Sequence, residues 1–472
     1  MTPRWLDRIF LLVVALGAAV VALQSARPWV GSWNDGSRLA TVESLVDRHT
    51  LAIDESMFVQ SLPPDGETRD AIGRAVRIVT KDKLYIEGHY YSDKPPVQAL
   101  LMAGLFQMWR WMGGAPARQQ PGEFCYWMTL ASSGLAYVAA VVCVFLIGGA
   151  VGLPILARLL LAASFALSTI ALPYARHVNA HVMLLGVAAF LFLHLVRLAR
   201  DRVAPPHRLL RIGTAAGLAY TLDLAAGPLL LVGVLVLVTY RCRSLRALML
   251  CGLVAAPWLI LHHAVNYAIG GSFAPANSVA EYLRWPGSPF GPDNMTGAWN
   301  HDGGLDFVTY AIALLLGPRG FLDHDLPVVL ALVGCAALWR QPPYETPELL
   351  CATGWCAATW LGYAAASNNY SGECVSIRWF VPLLAPAYLV LAVLVRDHRR
   401  FLPFLALLSG WGALMVAGMW RVGPWTRHTG LSFWPLQAAA LLSCLAWYHY
   451  SRRMPRAASA CDCRPATWAE RG

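Results

Sequence analysis

Asp93 and Lys94 stand side by side in the stretch HYYSDKPPVQALL, directly before Pro95 and Pro96 and the apolar segment they open. Further towards the N-terminus, Asp35 ends the first apolar run, in WNDGSR. A carboxylate at a water–lipid boundary can take a proton as a general base. An ammonium held near the headgroup plane sits where a lipid phosphate would lie. Plainer readings use the same residues. Asp35 serves as a helix N-cap, Lys94 as an interface anchor that snorkels, and Asp93–Lys94 as a surface ion pair worth about 0–1 kcal/mol. Arg176 in PYARHVNAH, Arg378 in SIRWF and Arg319 in GPRGF extend the cationic set, because phosphate matches guanidinium as well as ammonium. Arg378 can instead pair with Glu373. His177 and His181, four residues apart at a helix start, either orient reacting groups or only pack together. With no third ligand nearby they do not indicate zinc.

The elements that must position these groups lie in lipid. Of 472 residues 57% are hydrophobic and 14% charged, against about 25% charged in soluble domains. Apolar runs of about 17–25 residues recur along nearly the whole chain. This is an all-α polytopic membrane protein. The first run follows Arg4 and Arg8 and is read as an uncleaved span. The net charge of +10 fits basic loops facing anionic lipid, so nucleic acid is not an expected partner. Lysine occurs only at Lys81, Lys83 and Lys94, which sets Lys94 apart. Cys461 and Cys463 offer two metal ligands where a structural zinc needs four, and no metal is expected.

Basic clusters at 4–8, 197–211, 241–246, 396–400 and 452–456 mark the inner ends of spans. All of them fall inside only if 97–111 is an interfacial or re-entrant helix, with Trp109, Arg110 and Trp111 at the interface. The same parity makes 211–240 a hairpin of two short spans and 307–316 a second interfacial helix. The count is about twelve spans with both termini inside. The expected units are an N-terminal module at 1–265 with outer loop 27–96, an outer segment at 266–325, C-terminal helices at 326–450 and a disordered inner tail at 451–472. Polar chemistry gathers on the outer side, in a plasma (inner) membrane.

Within the first outer loop, Leu39, Val42, Leu45 and Val46 follow a helical period, with Ser37, Arg38, Thr41, Ser44 and Asp47 opposite. This predicts an amphipathic helix on the membrane surface. KLYIEGHYYS reads as a hairpin turning at Glu87-Gly88. It delivers Asp93-Lys94 to the start of the interfacial helix, whose first turn the prolines preset and which Asp93 can cap.

WNDGSR followed by GHYYSDKPP resembles the GT-C superfamily of membrane glycosyltransferases, in the bacterial branch related to protein O-mannosyltransferases and aminoarabinose transferases. The likeness continues in order through ALPYARHVNAH, LLGPRGFLDHDLPVVL and SNNYSGECVSIRWFVPLLAPAYL. The resemblance implies a GT-C-type fold. It implies an inverting enzyme that takes a sugar from a polyprenyl-phosphate carrier to a glycan, lipid or protein acceptor on the outer face. It makes Asp35 the catalytic residue and Lys94 the phosphate contact; the charge on a departing phosphate adds Arg176 and Arg378 as candidate partners of Lys94. Asp93, Tyr91, His177, His181 and Arg319 are further candidate substrate contacts. Polyprenyl-phosphate sugar is the donor substrate and no cofactor is expected. One departure concerns the turn YTLDLAAGP. Relatives in the aminoarabinose branch often carry a basic residue there, where this chain has Asp223 as a second acid or a helix cap. The competing functions are a secondary transporter or flippase, with ionisable residues along its path, and a noncatalytic protein that binds lipid-linked sugar.

Overall fold

The computed structural model describes residues 4–60, 79–291 and 294–453. The tail after Met454, with Cys461 and Cys463, and residues 61–70 of the acidic stretch lie outside the described residues. Helix α1 (Arg4–Ser25) leads to a long connecting segment that holds α2 (Trp33–Asp47), strands β1 (Lys83–Ile86) and β2 (His89–Ser92), and α3 (Pro96–Trp111). Helices α4 (Pro121–Thr129) and α5 (Leu135–Val151) are joined by one wider turn at Leu130–Gly134. Next come α6 (Ile155–Leu167), α7 (Ala171–Tyr174), α8 (Ala180–Arg200), α9 (Pro206–Leu222), α10 (Ala226–Cys242) and α11 (Leu245–Gly270). The chain ends in α12 (Gly304–Leu315), α13 (Phe321–His324), α14 (Val329–Arg340), α15 (Thr346–Ala365), α16 (Leu384–Asp397), α17 (Leu402–Val422) and α18 (Phe433–Arg453).

Among the described residues, six stretches are long and apolar enough to cross a membrane: Trp5–Ser25, Pro121–Val151, Ala180–Arg200, Leu245–Gly270, Arg378–Asp397 and Arg399–Val422. That is fewer than the charge parity asks for. Breaks at Pro154 and Asp223 leave shorter helices, and a crossing by length alone takes about 20 residues. Helices α8 and α16 form the centre, with every residue from Leu384 to Val395 buried. Helices α1 and α11 lie at the rim, with Leu12, Leu16, Leu253 and Ile260 turned outwards. A helix apolar all round belongs in a core or in lipid. Small residues bring α9 against α11. A Cβ on Gly213 would lie 2.5 Å from the Cys251 carbonyl oxygen, and one on Gly217 2.7 Å from the Ala255 Cα. This four-residue glycine spacing is a close-approach device of membrane helices.

In the connecting segment after α1 the hairpin pairs Leu84 with Tyr91 and Tyr85 with Tyr90. Glu87 and Gly88 both take positive φ, 50° and 91°, as a turn that matches strand twist requires. Helix α2 departs from the expected surface helix, because both of its faces are buried. Leu39, Val42 and Val46 pack with Met102, Ala103 and Phe106 of α3. The polar face is covered by the rest of the loop. The Ser37 hydroxyl donates to the Asp82 carbonyl (2.5 Å) and lies 2.6 Å from Ser92 Oγ. Glu43 accepts from Ser56 Oγ (2.5 Å), the Met57 amide (3.1 Å) and Arg48 (3.1 Å). Burial without such partners would cost several kcal/mol per group, about 2–7. Asp93 does not cap α3. Pro95 stands at the N-cap with no side-chain bond, and Asp93 turns to Lys94 instead.

Candidate functional site

Segments from across the chain line one cavity of about 1710 Å³. Trp33, Asn34 and Arg38 come from the start of α2, and Asp82, Asp93 and Lys94 from beside the hairpin. His181 comes from the start of α8, Asp223 from the α9–α10 turn, Tyr363 from α15, and Arg319, Arg378 and Trp425 from later connections. Among the sequence candidates, Asp93, Lys94, His181, Arg319 and Arg378 therefore meet in one cavity. Asp35, Tyr91, Arg176 and His177 are not among its lining residues.

Arg38 and Arg378, like Arg284 and Arg319 in the same lining, have no ion-pair partner among the described residues, and these two alone of the four leave a buried Nε without a hydrogen-bond partner. Arg38, buried, donates Nη1 to the Asn34 carbonyl (2.9 Å) and to the Asn34 amide oxygen, while its Nε has no partner. Arg378 lies over the Trp425 ring at 5.6 Å and its Nε is likewise unpartnered. The expected Glu373 is taken by Arg427, whose Nε donates to it at 2.5 Å. Burial lowers the Arg38 pKa to about 10; Arg378 adds to the fall, while Asp93, Asp82 and Asp35 oppose it. Two cations that repel each other in a half-closed cavity make a place for an anion with the fork geometry of phosphate. Arg319 lies nearby in the lining, 5.2 Å from the Tyr370 ring centre.

Lys94 is differently placed. Its ammonium lies 2.7 Å from Asp82 Oδ2 and 2.8 Å from Asp93 Oδ2, so two carboxylates answer one charge. Burial pushes the Asp93 pKa up and the neighbouring Asp82 adds to it, with Lys94 opposing. The ammonium fills the gap between the two acids that a cation would take, and no three of His, Cys, Asp and Glu come together elsewhere among the described residues.

Asp35 sits one layer behind the lining, as the third residue of α2 rather than its N-cap. Ser32 is the cap, and the two form a capping box. The carboxylate accepts from the Gly31 amide (2.7 Å), the Ser32 amide (2.7 Å) and the Ser32 hydroxyl (2.5 Å). Burial raises its pKa to about 6 against those hydrogen bonds. His177 Nδ1 is 3.5 Å away. Burial, with Arg176 and Arg27 close by, lowers the His177 pKa to about 3, so the ring is neutral. Arg176 braces the outer turns instead of facing the cavity. It donates to the Trp420 carbonyl and lies over that ring at 5.9 Å, and burial beside Arg27 lowers its pKa to about 9. Tyr91 packs against the small core of Leu84, Ile86 and Leu283.

The two histidines do not pack on each other. His181 Nδ1 lies 3.1 Å from Asp223 Oδ2. Asp223 also accepts from the Ala225 and Ala226 amides (2.9 and 3.0 Å) and from the Tyr363 hydroxyl (2.8 Å). It caps α10 and orients His181 at once. Tyr363 stacks on Trp379 at 4.4 Å and 6°. Together they make a rigid corner with an imidazole on the cavity wall. Sequence reading missed Arg38, Asp82, Tyr363 and Trp379 as site residues. Arg38 had a signal, three residues after Asp35 in WNDGSR. Asp82 and Tyr363 had none.

No family model matches the sequence, and no curated protein matches it. Among solved structures, the chain is similar to ArnT from Cupriavidus metallidurans bound to undecaprenyl phosphate, at 12% identity and a TM-score of 0.49, covering 96% of this chain and 79% of that one. It is also similar to the Archaeoglobus fulgidus oligosaccharyltransferase in the apo form, at 13% identity and a TM-score of 0.49, covering 90% of this chain and 57% of that one.

Proposed function

We propose that the chain is an inverting transferase that moves a sugar from a polyprenyl-phosphate carrier to an acceptor inside the outer cavity. The observation that carries this reading is the pair of guanidiniums, Arg38 and Arg378, facing one cavity with no ion-pair partner among the described residues. The ordered motif resemblance supports the same substrate class. In the transfer, an acceptor oxygen attacks the anomeric carbon and the bond from that carbon to the phosphate oxygen breaks. The electron pair leaves with the carrier phosphate, whose charge Arg38 and Arg378 stabilise. The acceptor proton goes to Asp93, which lines the cavity and whose pKa burial raises, a shift that favours taking up a proton. Asp93 takes the part that the resemblance gives to Asp35, since Asp35 stands behind the lining with three donors on its carboxylate. Lys94 holds Asp82 and Asp93 in place and reaches the rim of the phosphate site. With this function go about twelve crossings, the cavity facing outwards from the plasma membrane.

The test uses protein reconstituted in vesicles, undecaprenyl phosphate as the binding probe, and undecaprenyl-phosphate hexose or pentose with radiolabelled sugar as donor. Native mass spectrometry of the parent retains undecaprenyl phosphate, and label passes to acceptor. Arg38→Ala and Arg378→Ala lose both. Carrier binding unchanged in Arg378→Ala would sink the phosphate assignment. Label that crosses the bilayer still joined to its carrier, with no transfer, would make the protein a transporter.

A further inference from the structure

A second polar cavity, of about 440 Å³, lies at the opposite ends of the helices that reach the first. It is lined by Asp7, Arg8 and Leu11 of α1, Leu146, Gly149 and Ala150 of α5, and Arg158, Arg197, Arg200, Asp201 and Arg208 beyond them, five arginines against two carboxylates. His181 in the first cavity and Arg197 in the second are sixteen positions apart on α8, which is about 25 Å at 1.5 Å per residue. The two cavities therefore belong to opposite membrane surfaces. Basic clusters far apart in sequence, at Arg8 and at 197–208, are brought to one place by the packing of α1, α5 and α8.

The charges there are unevenly answered. Arg158 pairs with Asp7 at 2.9 Å, Arg200 with Glu345 at 2.9 Å, and Arg208 with Asp201. Arg8 and Arg197 have no carboxylate within ion-pair distance among the described residues. The other wall is apolar, and beside it α1 turns Ile9, Leu12 and Leu16 outwards to lipid. A cationic end joined to an apolar flank matches a phosphodiester headgroup with its acyl chains, and basic pockets between membrane helices hold such headgroups.

We propose that this cavity binds the phosphate of an anionic glycerophospholipid from the leaflet opposite the first cavity, with Arg8 and Arg197 as the two cations that meet it. The site does not depend on what the first cavity does.

Delipidated full-length protein is titrated with phosphatidylglycerol or phosphatidylcholine and bound lipid is counted by native mass spectrometry. The parent prefers phosphatidylglycerol. Each lost charge weakens that binding about fivefold, so Arg8→Gln with Arg197→Gln weakens it about 25-fold, and Arg8→Lys restores most of it. Should the double variant fail to fold, Arg8→Gln alone serves, since Arg8 is exposed; it loses about fivefold. Equal binding of the two lipids by the parent, or parent-like binding by Arg8→Gln, overturns the proposal. Inorganic phosphate that displaces phosphatidylglycerol at equal concentration overturns it too, by making the free anion the ligand.

Discussion

Two cationic groups share the wall of the outer cavity, and they are opposites. Lys94 stands between Asp82 and Asp93, its charge answered twice. Arg38 and Arg378 have only amide, carbonyl and ring contacts. The lysine is the residue that its motif and rarity bring forward. The arginines are the two whose buried Nε has no partner, which is why the proposed function sets the substrate anion on them. A buried charge without a counter-charge costs much unless something binds to it, so availability follows from partners and not from residue type. The same contrast recurs in the lining itself, where Arg427 is spent on Glu373.

The sharpest way to break this comparison is at the base. Asp93→Asn should lower transfer about 10²–10⁴-fold while undecaprenyl phosphate binding stays, and Asp35→Asn should leave the chemical step much nearer the parent. A reversed order in single-turnover rates would return the base to Asp35. The parent's kcat/KM should fall on acidification, at a pH above the ordinary carboxylate range, because Asp93 is shifted upwards. Next, Lys94→Met leaves two acids facing each other and should cost about 3–5 kcal/mol in denaturant unfolding. Adding Asp82→Asn should recover part of that. If Lys94→Met instead stays stable and loses only carrier binding, the lysine is the phosphate grip after all.

Asp35 gives a pH signature. Its folded carboxyl titrates at about 6 against 3.8 for the ordinary group. The native chain holds the proton more tightly, so this contribution to stability is full below the unfolded value and is lost as pH rises through about 6. The loss is on the order of 3 kcal/mol. Unfolding in detergent followed across that window should show the decline, and Asp35→Asn should flatten it. At Gly213, Ala should separate α9 from α11 and cost about 1–3 kcal/mol, read as a lowered unfolding midpoint. The smallest effect belongs to the exposed Arg427–Glu373 pair: Arg427→Gln should change neither stability nor carrier binding measurably.

Much of the architecture is legible in the chain. The apolar runs, the break of 211–240 into two helices, the hairpin at Glu87-Gly88 and the proline start of α3 each have a local cause, because span length, turn φ and first-turn geometry are set by neighbours in sequence. The cavity is less legible. Arg176 shares a motif with His181, yet it is drawn away to the Trp420 carbonyl. His177 and His181 look like one pair and face different acids, Asp35 and Asp223. Helix α2 has the periodicity of a surface helix and is buried on both sides, since its polar face finds donors and acceptors only once the rest of the loop folds over it.

From the sequence by itself come the helical membrane class, the polar connections between apolar runs, and the pool of candidate groups. These depend on composition, local propensity and charge near span ends, which act over a few turns. Tertiary structure alone decided which cations keep a free face, which acids reach the cavity, and that Arg8 meets Arg197. Coulomb energy in a low-dielectric interior depends on through-space distances of a few ångströms, and those distances join residues hundreds of positions apart.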